Sequence, residues 1–225
     1  MQENFRMKNV IGLLGLVVAG SASAEFVVVN NPVAETVGFY SDAFSSDGAY
    51  TYAQSGAQLF DLEDSYTTSS LKWWGSSNGF NDQGVSNFTS FEINVWDAGF
   101  NGIVYTTTVD MSNVEVNKTG DSNFFGQPVY EFYVPFVAQL TAGSYAMNIG
   151  VNLEDANGDQ FVWSQGADSN NFWQTSPFGP GGWGSWRPLP PSIGNTAGGA
   201  FVLSAPSPAA IALLGLAGLV AKRRR

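Results

Sequence analysis

The sequence predicts an all-β protein: a single antiparallel β-sandwich of jelly-roll type, with a short apolar helix at each end of the chain. Three observations carry this expectation. Apolar residues alternate with a period of two through residues 25–204, turn-forming clusters punctuate the alternation, and no long amphipathic helical pattern interrupts it.

The elements follow in order. Residues 31–57 read either way, since ETVGFYSDAF suits a strand or a short helix. In Phe91-Glu92-Ile93-Asn94-Val95-Trp96 the residues Phe91, Ile93 and Val95 share one face. Tyr130, Phe132 and Val134 repeat the pattern, as do Tyr145, Met147, Ile149 and Val151, and Phe161 with Trp163. Successive side chains of a strand point to opposite faces, so such alternation puts one face in a core and one toward water. Turn clusters lie at Ser76-Ser77-Asn78-Gly79, Ala98 to Gly102, Lys118-Thr119-Gly120-Asp121 and Ala156-Asn157-Gly158-Asp159. Asn157-Gly158 suits a two-residue hairpin turn, because both positions tolerate positive φ. Gly179 to Gly199 reads as a Gly/Pro-rich loop, and Ala200 to Leu203 as the closing strand. Roughly ten strands at this spacing imply a sandwich. No internal repeat is present, which excludes a propeller or solenoid.

The N-terminal segment, residues 1–24, has the order of a secretory signal peptide. Arg6 and Lys8 precede the apolar stretch Val10 to Gly20, and Ala22-Ser23-Ala24 supplies the small residues that a signal peptidase cuts after. Met7 is an alternative start, because MKNVIGLLGLVVAGSASA is a complete signal without Glu3.

The C-terminal segment, residues 205–225, runs Pro206-Ser207-Pro208, then Ala209 to Ala221 without a polar side chain, then Lys222-Arg223-Arg224-Arg225. As a helix the apolar part reaches about 20 Å, short of the roughly 30 Å hydrocarbon core. Counting from Ser204, and letting the basic side chains snorkel, makes a span feasible. The terminal cations hold that end on the cytoplasmic side and put the preceding domain outside. This arrangement resembles the PEP-CTERM sorting signal of Gram-negative-type bacteria, with Ser207 where that family's motif has an acid. The resemblance implies an exosortase-type membrane enzyme as a partner that removes the tail. It also implies transient anchoring in the inner membrane, then delivery to the cell surface or the extracellular polymer matrix.

Charge belongs to the part between. Of nineteen acids and nine bases, Glu3 and six bases fall in the end segments, leaving eighteen acids against Lys72, Lys118 and Arg187, a net charge of −15. Such a surface repels phosphate backbones and argues against nucleic acid as a partner. The chain has no cysteine, so no disulfide supports the fold in an oxidising compartment.

Residues 58–203 are also similar to a recurring domain of exported bacterial proteins with sorting tails. The matching pieces are SLKWWGSS, FTSFEINVWDA, IVYTTTVDM, YEFYVPF, LTAGSYAMNI, FWQTS and GGWGSW. That family is a β-sandwich of unassigned biochemical function, so the similarity implies a fold and leaves activity open.

With no His and no Cys, the usual triads, cysteine nucleophiles and His-based zinc sites are excluded. A carboxylate pair drawn from Glu92, Glu154 and Asp155 is formally available to a glycosidase, but acids at strand ends and turns are ordinarily solvated. Lys72, beside Trp73 in a strand, is read as solvent-facing. The expectation is a non-enzymatic protein without a cofactor. Asp155, Asn157 and Asp159 offer oxygens at alternate positions, as calcium requires. A plain hairpin with solubilising acids explains the same residues, and the two readings stay open.

Seven tryptophans raise a second function, a carbohydrate-binding module. Adjacent Trp73 and Trp74 point to opposite faces of a strand, which leaves Trp74 the candidate for exposure. Trp173, Trp183 and Trp186 with Arg187 form the richest aromatic and polar cluster. Large aromatics also seal sandwich edges. The two alternatives part on whether several indoles line a solvent-facing surface or are all buried. Ice binding would need a flat threonine array that Thr106, Thr107 and Thr108 alone do not supply.

Overall fold

Phe91, Ile93 and Val95 are each fully buried, whereas Glu92 and Trp96 are half-buried on the opposite side, so the period of two is realised as a strand with an inner and an outer face. The computed structural model describes residues 24–32, 39–40, 42–45, 55–77, 84–123, 125–154, 161–167, 172–175, 186–188 and 199–207. The chain divides into a unit Ala24–Pro206 and a second unit of Met1–Ser23 with Ser207–Arg225. Of the second unit only Ser207 is among the described residues, so both expected end helices lie outside them.

Among the described residues the fold is almost wholly β. In chain order the strands are β1 (Glu25–Asn30), β2 (Phe39–Tyr40), β3 (Asp42–Ser45), β4 (Ser55–Leu62), β5 (Tyr66–Thr67), β6 (Ser70–Ser77), β7 (Phe88–Asp97) and β8 (Ile103–Asp110). They continue as β9 (Glu115–Ser122), β10 (Pro128–Pro135), β11 (Gln139–Leu140), β12 (Gly143–Leu153), β13 (Phe161–Trp163), β14 (Phe172–Thr175), β15 (Arg187–Pro188) and β16 (Phe201–Ala205). A 3₁₀ turn at Met111–Asn113 is the only helical element among them, and no helix there is long and apolar enough to cross a membrane.

The strands form two large sheets and a two-strand ladder of β5 with β11. One large sheet runs β1-β16-β6-β10-β9, with β13 joined to β6 and β2 to β13. The other runs β15-β14-β4-β12-β7-β8, with β3 added to β12. Pairing is antiparallel except for β3 with β12, which is parallel.

The inner faces of both large sheets contribute to one hydrophobic cluster. Trp73, Phe132, Phe161, Phe201 and Leu203 come from the first sheet, and Phe60, Phe91, Ile93, Val95, Met147 and Ile149 from the second. Each fully buried side chain of this size contributes roughly 1.5–3 kcal/mol, and the core has no disulfide to assist it.

Polar side chains tie the loops to this core. Buried Thr68 donates to the Phe136 carbonyl at 2.7 Å and accepts from the Ala138 N–H at 2.9 Å. Trp163 Nε1 donates to the Ala200 carbonyl at 2.9 Å, and Gln58 Oε1 accepts from the Gly199 N–H at 3.1 Å.

Two expectations are corrected. Lys118 to Asp121 is not a turn but part of β9: the register passes from Pro128–Ser122 to Tyr130–Lys118, so Thr119, Gly120 and Asp121 oppose Val129 alone. The turn-like residues are absorbed as a bulge, with Gly120 at φ 93°. Ser76 and Ser77 likewise belong to β6, paired with Val162 and Phe161. The expected closing strand is present as β16, which lies between β1 and β6 with all five of its residues buried.

Candidate functional site

The outer face of the β14-β4-β12-β7-β8 sheet carries the most distinctive surface. Trp96 follows the core residue Val95 in β7, and Trp173 follows the core residue Phe172 in β14, so alternation turns both indoles away from the core. Across the sheet Trp173 is paired with Ala57, Ala57 with Asn148, Asn148 with Asn94 and Asn94 with Thr106. In the neighbouring row Trp96 is paired with Ala146. Ala57 and Ala146 are fully buried, so small residues floor the face between two large ones.

The turn after β7 supplies the centre of this surface. Asp97 Oδ1 accepts from the N–H of Gly99 at 2.9 Å and of Asn101 at 3.1 Å, and the Asn101 side-chain amide lies 3.4 Å away. The Phe100 N–H donates back to the Asp97 carbonyl at 2.9 Å. An aspartate followed by Gly, Asn and Gly folds onto its own backbone in this way. The Asn101 N–H holds the Asp97 carboxyl below the usual aspartate range; partial desolvation opposes this, and the Gly99 and Gly102 N–H groups add to it.

Phe100 takes a φ of 54°, the only positive value at a non-glycine among the described residues. That conformation disfavours a bulky side chain by about 1–3 kcal/mol, so the surrounding bonds must hold it. Its ring stacks on Trp186 at 4.6 Å between centroids and lies 5.1 Å from Trp173 and 6.3 Å from Trp96. Trp96 and Trp186 meet edge-on at 5.9 Å. All four rings are half-buried.

Beside the rings runs a polar ladder. Thr106 Oγ1 donates to Asn94 Oδ1 at 2.6 Å, and Asn94 Nδ2 donates to Asn148 Oδ1 at 3.2 Å and Glu92 Oε1 at 2.8 Å. Asn148 Nδ2 continues to Ser55 Oγ and the Gly56 carbonyl, each at 2.8 Å. These groups satisfy one another, which makes the ladder a rigid floor. By contrast Trp96 Nε1 is buried without a hydrogen-bond partner, a state that costs about 1–3 kcal/mol.

The sequence-predicted residues separate accordingly. Trp173 and Trp186 come together, and Arg187 stands in β15 next to Trp186, paired with Gln174. Trp183 lies outside the described residues. Trp74 does not join them: it faces away from the core on the other sheet but is only 8% exposed, packed in a small cluster with Val129, Ala200 and Val202. Lys72 lies 5.8 Å over the Trp74 ring and pairs with Glu131 at 3.1 Å, which adds to its cover. Trp96 and Phe100 were not singled out from sequence. The signal for Trp96 was its outward place in the Phe91–Val95 alternation; Phe100 stood as a lone large apolar residue in a polar turn.

Asp155, Asn157 and Asp159 lie outside the described residues, among which no three acids, histidines or cysteines are grouped. Glu154 is exposed, and Glu92 is engaged by Asn94. At the ends, Ala24 is exposed just before β1, and Pro206 and Ser207 are half-buried just after β16. Ala22, Pro208 and Lys222 to Arg225 lie outside the described residues. Compared with models of known protein families and with curated proteins, the chain matches none.

Proposed function

We propose that this chain is an exported, non-enzymatic protein whose jelly-roll-like β-sandwich is displayed at the bacterial surface or in the extracellular matrix after both end segments are removed. The observation that carries this reading is the pairing of Glu25 with Ala205. Glu25 is the first residue after the expected signal-peptidase site, and Ala205 the last before Pro206-Ser207-Pro208. Removal of both segments at these points leaves β1 and β16 whole, whereas a cut a few residues inside either would take a strand from the sheet. The absence of His and Cys and the engagement of Glu92 by Asn94 support a binding rather than a catalytic role. The PEP-CTERM-like tail supplies the sorting step, with signal peptidase and an exosortase-type enzyme as processing partners. Mass spectrometry of the protein released by its native host tests this. The expected form begins at Glu25 and ends between Ala205 and Pro208; a surface form that keeps Lys222 to Arg225 would refute sorting by tail removal.

A second reading, that the domain binds carbohydrate, is favoured by the half-buried rings of Trp96, Phe100, Trp173 and Trp186 on an outer sheet face. Aromatic faces stack on the apolar faces of pyranose rings, and an exported acidic domain encounters polysaccharide outside the cell. Binding to a polysaccharide array, lost in Trp173→Ala, is the expected result; no retention on any polysaccharide would exclude it.

A further inference from the structure

Resting on the carbohydrate reading, we infer that the binding surface is the aromatic face centred on Phe100 and held by the Asp97 turn, and that its ligand is a neutral polysaccharide with flat pyranose faces. Phe100 is the residue that the other three rings share: Trp96, Trp173 and Trp186 each contact it. A core aromatic reaches its place from a strand at no backbone cost. Phe100 instead stands in a turn, in a left-handed conformation that a large side chain rarely adopts, and Asp97 Oδ1 holds that turn through the Gly99 and Asn101 N–H groups. Backbone strain spent on presenting one ring at a half-buried surface marks that ring as a contact residue and Asp97 as the residue that positions it.

The neighbours define the ligand class. Asn94, Asn148 and Thr106 bond to one another, so they stiffen the floor and leave recognition to the rings. Trp96 Nε1 is a buried donor without a partner within the cluster. Glu92 and Asp97 flank the face, and the domain carries a net charge of −15, so polyuronates and sulfated or phosphorylated polymers are repelled. A neutral chain of equatorially substituted sugars has the flat apolar faces that stacking needs.

The test uses the full chain in a zwitterionic detergent without sugar headgroups, with cellohexaose as the probe and an oligogalacturonate of the same length as the anionic control. Calorimetry and tryptophan fluorescence read binding, and a thermal melt reads folding. Cellohexaose is expected to bind, with the oligogalacturonate weaker by about tenfold or more. Phe100→Ala and Phe100→Leu are expected to lose about tenfold in affinity, Phe100→Tyr to retain it, and Asp97→Ala to weaken it while keeping the melt cooperative. Leucine keeps apolar bulk without a flat ring, so it separates stacking from simple packing. Unchanged affinity in Phe100→Ala, Phe100→Leu and Trp96→Ala would overturn this location and leave the carbohydrate reading standing. Equal binding of the oligogalacturonate would overturn the neutral class, and failure of the unaltered chain to bind cellohexaose would overturn the inference itself. The polysaccharide array then decides whether the reading beneath it falls as well.

Discussion

Trp73 of β6 and Phe91 of β7 meet edge-on across the core, their ring centroids 4.9 Å apart at an interplanar angle of 77°. Phe132 stacks on Trp73 at 5.4 Å and lies 5.0 Å from Phe91, so three rings from two sheets share one contact. In a chain without cysteine this aromatic contact is a principal means by which the sheets hold each other.

Phe91→Ala removes the ring of one sheet from that contact and leaves a void that the large, rigid rings of Trp73 and Phe132 cannot close. A loss of about 3–5 kcal/mol is expected, a large share of the 5–15 kcal/mol typical of a domain. Urea denaturation followed by tryptophan fluorescence measures it, and a loss below about 1 kcal/mol would contradict the packing described.

Gly75→Ala is expected to destabilise for a different reason. A methyl there would fall on the Phe161 ring and the Val162 carbonyl, and Phe161 is fully buried, so neither can withdraw without moving β13. Gly120→Ala meets nothing within 4 Å, and its cost comes only from the φ of 93°. Gly75→Ala should therefore be the more damaging of the two, by about 1 kcal/mol or more in a thermal or urea melt.

The Asp97 turn should respond to acid. Its carboxyl is held below the usual aspartate range, chiefly by the Asn101 N–H, so the contribution of the charged form is complete above that range. It is lost as pH falls through the lowered value, when the carboxylate takes a proton. Near-UV circular dichroism of the adjoining indoles is expected to change over that acid interval in the unaltered chain and not in Asp97→Asn. The same acid transition in both would place its origin elsewhere.

Asn123 closes another loop. Its Nδ2 donates to Ser76 Oγ at 2.9 Å and Gln127 Oε1 at 2.8 Å, and its Oδ1 accepts from the N–H groups of Phe125 and Gln127. Asn123→Ala removes these four hydrogen bonds from a buried side chain and is expected to cost about 1–3 kcal/mol. Hydrogen exchange should show faster loss of protection at Phe125 and Gln127 than at β6.

The position of β16 makes the last strand essential. Lying between β1 and β6 and buried along its length, it completes the sheet from which β1 hangs. A chain of residues 25–206 is expected to give a cooperative melt, and one of residues 25–199 to give none. Equal stability of the two would contradict the strand order.

Strand positions were legible in this sequence because a buried face next to water imposes alternation, and Phe91 to Val95, Tyr130 to Val134 and Tyr145 to Val151 display it openly. The turn-like Lys118 to Asp121 misled, because local propensity cannot know that β10 stands alongside to hold it in a bulge. The place of Trp96 beside the sequence-predicted Trp173 was hidden for a related reason. Trp96 and Trp173 are 77 positions apart, and only the strand order β14-β4-β12-β7 sets them on one face. Composition and periodicity by themselves determined an acidic, cysteine-free, all-β chain, since charge and alternation are properties of short stretches. Which tryptophans meet, and that Glu25 comes to lie opposite Ala205, were decided only by the tertiary structure, because strand pairing joins residues that share no local signal.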